Sequence, residues 1–185
     1  MKDRIIKAFI EEIQLKGLKF PLDDLAKRLG ISKKTLYKYF TSKFEMLDAV
    51  IDYTFEDMDL KATAIIQNDE LSLIEKIKNV ITVLPDHYQF LDQNILDQMK
   101  RYYPEQWVRM DTILKSDWEL LRNLIEQAIK EGIIVDRNIS LIMKVIIESI
   151  NSTLDQNFYM ENRMTVSEAL SEIVDILLFG LTIQE

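Results

Sequence analysis

Apolar residues recur at helical spacing along almost the whole chain, and Gly, Pro and capping residues punctuate the runs. Ile5, Ile6, Phe9 and Ile13 share one face, with Lys2, Arg4, Lys7, Glu11 and Glu12 between them. This predicts a first amphipathic helix, ended by Gly17 in a left-handed cap. Leu22, Leu25, Ala26 and Leu29 predict a second, opened by Pro21 and closed by Gly30, with Asp23 and Asp24 at the positive end of its dipole. Ser32 is an N-cap for a third helix, and Ile31 and Leu36 are spaced as a hydrophobic staple. Thr35 stands where a full capping box would place Glu. Ser42 and Glu45 form a capping box for a fourth helix, whose stripe runs through Phe44, Leu47, Ile51, Phe55 and Met58.

The pattern stays helical beyond position 60. Residues 71–84 make one segment, stopped by Pro85, and residues 88–102 another, stopped before Pro104. A long helix is expected from about Pro104 to Lys130, with Gly132 ending it. Residues 138–160 form the next, with a row at Ile142, Ile146, Ile150, Leu154 and Phe158. Thr165 and Glu168 cap the last helix, apolar through Leu181. The fold class is therefore all-α. A three-helix helix-turn-helix module, residues 1–48, is joined by helix 4 to a helical body, residues 49–185.

Composition narrows the function. Four Gly and three Pro leave little material for hairpins, and the absence of Cys removes disulfides and Cys-ligated zinc. The opening MKDRIIKAFIEEIQ is charged throughout, unlike a secretory signal. The most apolar stretch, IVDILLFGL at 173–181, is too short to span a bilayer and carries Asp175, so the expected compartment is the cytoplasm. The net charge is −8, but it is uneven: residues 1–48 hold 11 Lys/Arg against 7 Asp/Glu, and the remainder 12 against 24. From Lys27 to Lys43 there are six basic residues and no acidic one. An acid-free segment in an acidic chain points to phosphate contact.

On a helical wheel, Leu36 and Phe40 point inward, while Lys34, Thr35, Tyr37 and Lys38 take the opposite side and Lys33 projects from the first turn. Lysine can donate to guanine O6 or N7, and a threonine methyl can touch thymine. Tyr37 and Tyr39 offer hydroxyls to phosphate oxygens, and Lys43 lies in the first turn of helix 4, where an ammonium and open backbone N–H groups can share a phosphate. Catalysis finds little support. The single His87 has no Cys partner, no Glu-x-x-His pair exists and no Gly-rich phosphate loop appears. The competing reading is a helical small-molecule-binding or scaffolding protein that does not use DNA; the acid-free segment argues against it.

These residues resemble the TetR family (tetracycline-repressor-like transcriptional regulators). Leu25-Ala26, Leu29-Gly30-Ile31-Ser32, Thr35-Leu36-Tyr37, Phe40, Ser42-Lys43 and Leu47 carry the likeness, over roughly the first 50 residues. By that similarity Lys33, Lys34 and Thr35 match positions that touch bases or adjacent phosphates, and Tyr37, Tyr39 and Lys43 match backbone contacts; Lys38 joins them from the wheel. Pro21 departs from the family pattern, which has a capping Thr or Ser that touches phosphate. The resemblance implies a homodimer, a double-stranded DNA operator, a small-molecule effector and no cofactor or metal. It implies an effector pocket in the body, where Met99, Tyr102, Tyr103, Trp107, Met110, Trp118 and Phe158 are the candidate lining. It further implies that the broad stripes of the last two helices pair between copies, with Ile142, Ile146, Ile150, Leu154, Ile173 and Leu177 as candidate interface residues.

Overall fold

The computed structural model describes residues 1–87, 93–116, 118–152 and 164–180. Among these residues lie α1 (Lys2–Lys16), α2 (Leu22–Leu29), α3 (Lys33–Tyr39), α4 (Lys43–Ile66), α5 (Leu73–Ile81), α6 (Gln93–Tyr102), α7 (Pro104–Ser116), α8 (Glu119–Lys130), α9 (Ile139–Asn151) and α10 (Val166–Phe179), with no strand. Two compact units form: Met1–Asp57 with Pro85–Leu114, and Met58–Leu84 with Lys115–Glu185.

In the first unit the predicted inner faces are buried. Ile5, Phe9 and Ile13 of α1, Leu25 of α2, Leu36 of α3, and Leu47 and Ile51 of α4 are all at or below 1% exposure. α1 packs on α2, and α2 on α3. Phe9 and Phe20 meet edge to face, with ring centroids 5.4 Å apart. Gly30 takes the left-handed conformation, and Ile31 N–H reaches back to Ala26 O at 3.1 Å, satisfying carbonyls that the end of α2 would otherwise leave open. An ionic clasp joins α1 to α2. Glu12, almost fully buried, receives Arg28 at 2.5 Å and Lys16 at 2.9 Å, and Lys16 also meets Asp24. Burial pushes the Glu12 carboxyl up, but hydrogen bonds and charges from Lys16 and Arg28 outweigh it and hold it below its ordinary value.

In the second unit α5 packs on α8 and α10, and α9 on both of those. Ile77, Leu121, Ile125, Met143, Ile146 and Val174 belong to its core. Lys78 of α5 pairs with Asp175 of α10 at 2.6 Å. Reciprocal capping boxes at Ser72–Glu75 and Thr165–Glu168 start α5 and α10.

Several elements differ from the sequence reading. Gly17 has φ 70° and ψ −173°, not a left-handed cap; its positive φ lets Leu18 turn at once onto Gln98, and a Cβ would lie 2.6 Å from Gln98 Oε1. The box at helix 4 is only half made. Ser42 Oγ accepts the Glu45 N–H, while the Glu45 carboxylate turns to the Thr41 N–H and hydroxyl. The segment expected over 71–84 forms only Leu73–Ile81, because Ser72 fixes its start and Thr82 Oγ1 bonds back to Lys78 O and Asn79 O at its end. The helix expected over 104–130 is two, α7 and α8, with only Ser116 and Asp117, residue types that favour caps, to mark the join in sequence. At the start of α9, Asn138 is the N-cap and accepts the Leu141 N–H at 3.0 Å.

Candidate nucleic-acid interface

The third helix is short and would be marginal alone, so its ends and anchors decide its position. Ser32 Oγ accepts the Thr35 N–H at 3.0 Å and lies 2.9 Å from the Thr35 hydroxyl. Thr35 therefore meets the Ser32 hydroxyl where a capping-box glutamate would meet the Ser32 N–H, and it adds no negative charge to the face. Leu36 and Phe40 anchor the helix in the core at 0% and 2% exposure. The opposite side stands out in solvent: Lys33, Lys34, Tyr37 and Lys38 are exposed, and Thr35 and Tyr39 half-buried. Lys33 pairs with Asp23 of α2 at 3.0 Å, and this bond raises its pKa above the ordinary lysine value. The sequence reading gave Asp23 only a role in the helix dipole.

Lys43 is placed differently from expectation. Its ammonium donates to Leu18 O at 2.6 Å and Phe20 O at 2.7 Å, and sits 4.0 Å from the Phe20 ring centroid. An ammonium has three N–H groups, so one remains for another partner. Burial pushes its pKa down to about 8. Keeping it charged therefore costs the fold stability below about 8, and that cost is relieved as pH rises from there toward the ordinary lysine range. The aromatic neighbours and the two carbonyls lie far off in sequence, so helix position alone gave no signal of this inward turn.

The candidate effector residues divide. Met99 and Met110 are fully buried in the first unit. Tyr102 and Tyr103 instead line an open groove of about 620 Å3, together with Tyr37, Lys43 and Phe44. Phe44 packs edge-on against Tyr103 at 5.2 Å, and burial raises the Tyr103 phenol pKa. Trp107 is half-buried with Lys100 5.7 Å from its ring, and Trp118 packs on the core of the second unit. Phe158, like Leu154 of the interface set, lies outside the described residues.

The candidate interface residues pack to different degrees within their own unit. Ile146 is 4% exposed and belongs to its own unit's core, with Ile142, Ile150 and Leu177 packed against that core and Ile173 half-buried. Leu141, Val145, Ile176 and Phe179 are the exposed apolar residues of α9 and α10, at 45–61%. Among the described residues no helix is long and apolar enough to cross a membrane.

An exposed, acid-free lysine and tyrosine face on a capped recognition helix is the architecture of a helix-turn-helix transcriptional regulator. Residues 5–50 match the family model of bacterial regulatory proteins of the tetR family. Over all 185 residues the chain is 31% identical to an uncharacterised HTH-type transcriptional regulator, YvaF, of Bacillus subtilis strain 168, and covers 97% of it. The fold is shared with a TetR/AcrR-family regulator of Thermobifida fusca (TM-score 0.75, 22% identity, 98% of each chain). It is also shared with FadR of Bacillus subtilis in complex with stearoyl-CoA (TM-score 0.72, 19% identity, 98% of this chain and 100% of that one). The chain belongs to the TetR family. It is a DNA-binding transcriptional regulator, and its relatives are named as regulators rather than enzymes.

Proposed function

We propose that the protein is a homodimeric, ligand-responsive repressor acting in the cytoplasm on a near-palindromic operator. Residues 1–48 supply the reading head and residues 49–185 the effector-binding and dimerisation part. Lys34 and Thr35 reach base edges, while Lys33, Tyr37, Lys38, Tyr39 and the remaining N–H of Lys43 take phosphate. The observation that carries this is the exposed side of α3, held out by Leu36 and Phe40 in a segment without acids. Dimerisation uses the exposed Leu141 and Val145 of α9 with Ile176 and Phe179 of α10, rather than the Ile142–Ile146–Ile150 row. Half-sites then lie about 34 Å apart, one helical turn.

The effector is assigned to the acyl-CoA class, on the likeness to FadR in complex with stearoyl-CoA. Allosteric couplings of about 1–3 kcal/mol shift operator affinity some 5–150-fold. The test is a fluorescence anisotropy titration against DNA upstream of the protein's own gene, at two salt concentrations, with and without stearoyl-CoA. Sequence-specific binding that falls steeply with salt and weakens with the acyl-CoA is expected. Absent or salt-insensitive binding overturns the reading in favour of a scaffold; binding indifferent to acyl-CoA overturns only the effector class.

A further inference from the structure

We propose that Lys19, Arg101 and Tyr102 form a second backbone clamp, holding duplex phosphates beside the groove that α3 reads. The inference rests on the DNA-binding reading above and extends it outside residues 1–48, to the end of α6.

The clamp is built by the loop between α1 and α2. Leu18 and Phe20 are buried at 0% and 4% exposure, and Lys19 stands exposed between them. Three hydrogen bonds from two side chains pin that loop. Gln98 Oε1 accepts the Leu18 N–H at 2.8 Å, and Lys43 donates to the carbonyls of Leu18 and Phe20 on either side of Lys19. Gly17 permits the approach, since any Cβ there meets Gln98. The loop thus carries Lys19 onto α6, where its ammonium lies 4.1 Å from the Tyr102 ring centroid. Arg101 brings its guanidinium carbon to 5.3 Å from the same ring.

Two cations at one aromatic ring are steadied by its quadrupole but not neutralised. Tyr102 lines the open groove that continues to Tyr37 and Lys43, and no carboxylate is among the residues lining it. In a chain of net charge −8, that is a local preference for an anion. The groove is open along the surface rather than enclosed, and Tyr37 and Ser42 add hydroxyl donors to its wall. Cations and hydroxyls without base-reading geometry suit a phosphodiester backbone. Tyr37 belongs both to this groove and to the reading face, so one duplex can meet both. Lys19 also stands two residues from Pro21, which itself has neither hydroxyl nor N–H to offer phosphate.

The test uses full-length protein and anisotropy over a salt series, on an arbitrary duplex of roughly 30 base pairs and on the footprinted operator. The Lys19→Ala, Arg101→Ala double variant is expected to lower the salt slope by roughly two units and to weaken both duplexes by the same factor. Lys19→Gln alone, which keeps most of the stem on the ring, should lower it by about one. Arg137→Ala, an exposed cation of the second unit, should leave it unchanged. A wild-type slope in both variants, with binding intact, overturns the clamp alone. Absence of salt-dependent binding by the wild-type protein overturns the DNA-binding reading and the clamp with it.

Discussion

The reading head and the α9–α10 pair are both made of amphipathic helices, but different physics holds them. In the head each short helix is fixed by particular atoms: Ser32 and Thr35 at the start of α3, Gly30 at the end of α2, Glu12 between α1 and α2. Its exposed side is polar and charged, and stays so because Leu36 and Phe40 bury the other side. In α9 and α10 breadth of apolar surface does most of the work. The inner rows fill a core and Leu141, Val145, Ile176 and Phe179 remain in solvent. Directional chemistry marks the surface that recognises a ligand, whereas apolar area marks only that something is covered.

The comparison can be broken from the side of the core first. Leu36→Ala should cost about 2–5 kcal/mol, because α3 has no other fully buried anchor within its length, and thermal melts should show the head lost before the second unit. Retained stability would mean that caps alone hold α3. Ile146→Ala should cost a similar or slightly smaller amount, about 2–4 kcal/mol, through a cavity in its own unit's core. Its neighbour Val145→Asp should leave the melting curve of the monomer nearly unchanged and shift light scattering from dimer to monomer. If the two effects are exchanged, the face assignment on α9 is wrong.

Smaller effects sharpen the division within the head. Lys34→Ala should cost about 1–3 kcal/mol of operator affinity and relax preference at one base pair, read by binding to a panel of single-substitution operators. A uniform loss across the panel would make Lys34 a backbone contact. Ser32→Ala should destabilise by about 1 kcal/mol in chemical unfolding, the usual worth of an N-cap, and no change would show that the cap does not hold α3.

What was legible in the sequence follows the same line. Caps and left-handed turns depend on residues adjacent in the chain, so the Ser32 cap, Gly30 and the Thr165–Glu168 box could be read directly. Long-range partners could not. Lys43 meets carbonyls 23 and 25 residues earlier, and Lys19 meets a ring on α6, contacts that only tertiary packing creates. The stripe of α9 was legible as apolar, but periodicity does not say whether a row faces its own core or a second copy. The break between α7 and α8 lacks any Gly or Pro, and Ser116 and Asp117 are residue types that also occur within helices.

The central claim is that the lysine and tyrosine side of α3 enters the duplex as the reader. Footprinting on DNA upstream of the protein's own gene, with Lys33, Lys34 and Lys38 all changed to alanine in a protein that still melts as the wild type does, tests it most directly. The protected region should vanish at concentrations where the wild-type protein gives full protection. A footprint of unchanged position and extent would contradict the claim.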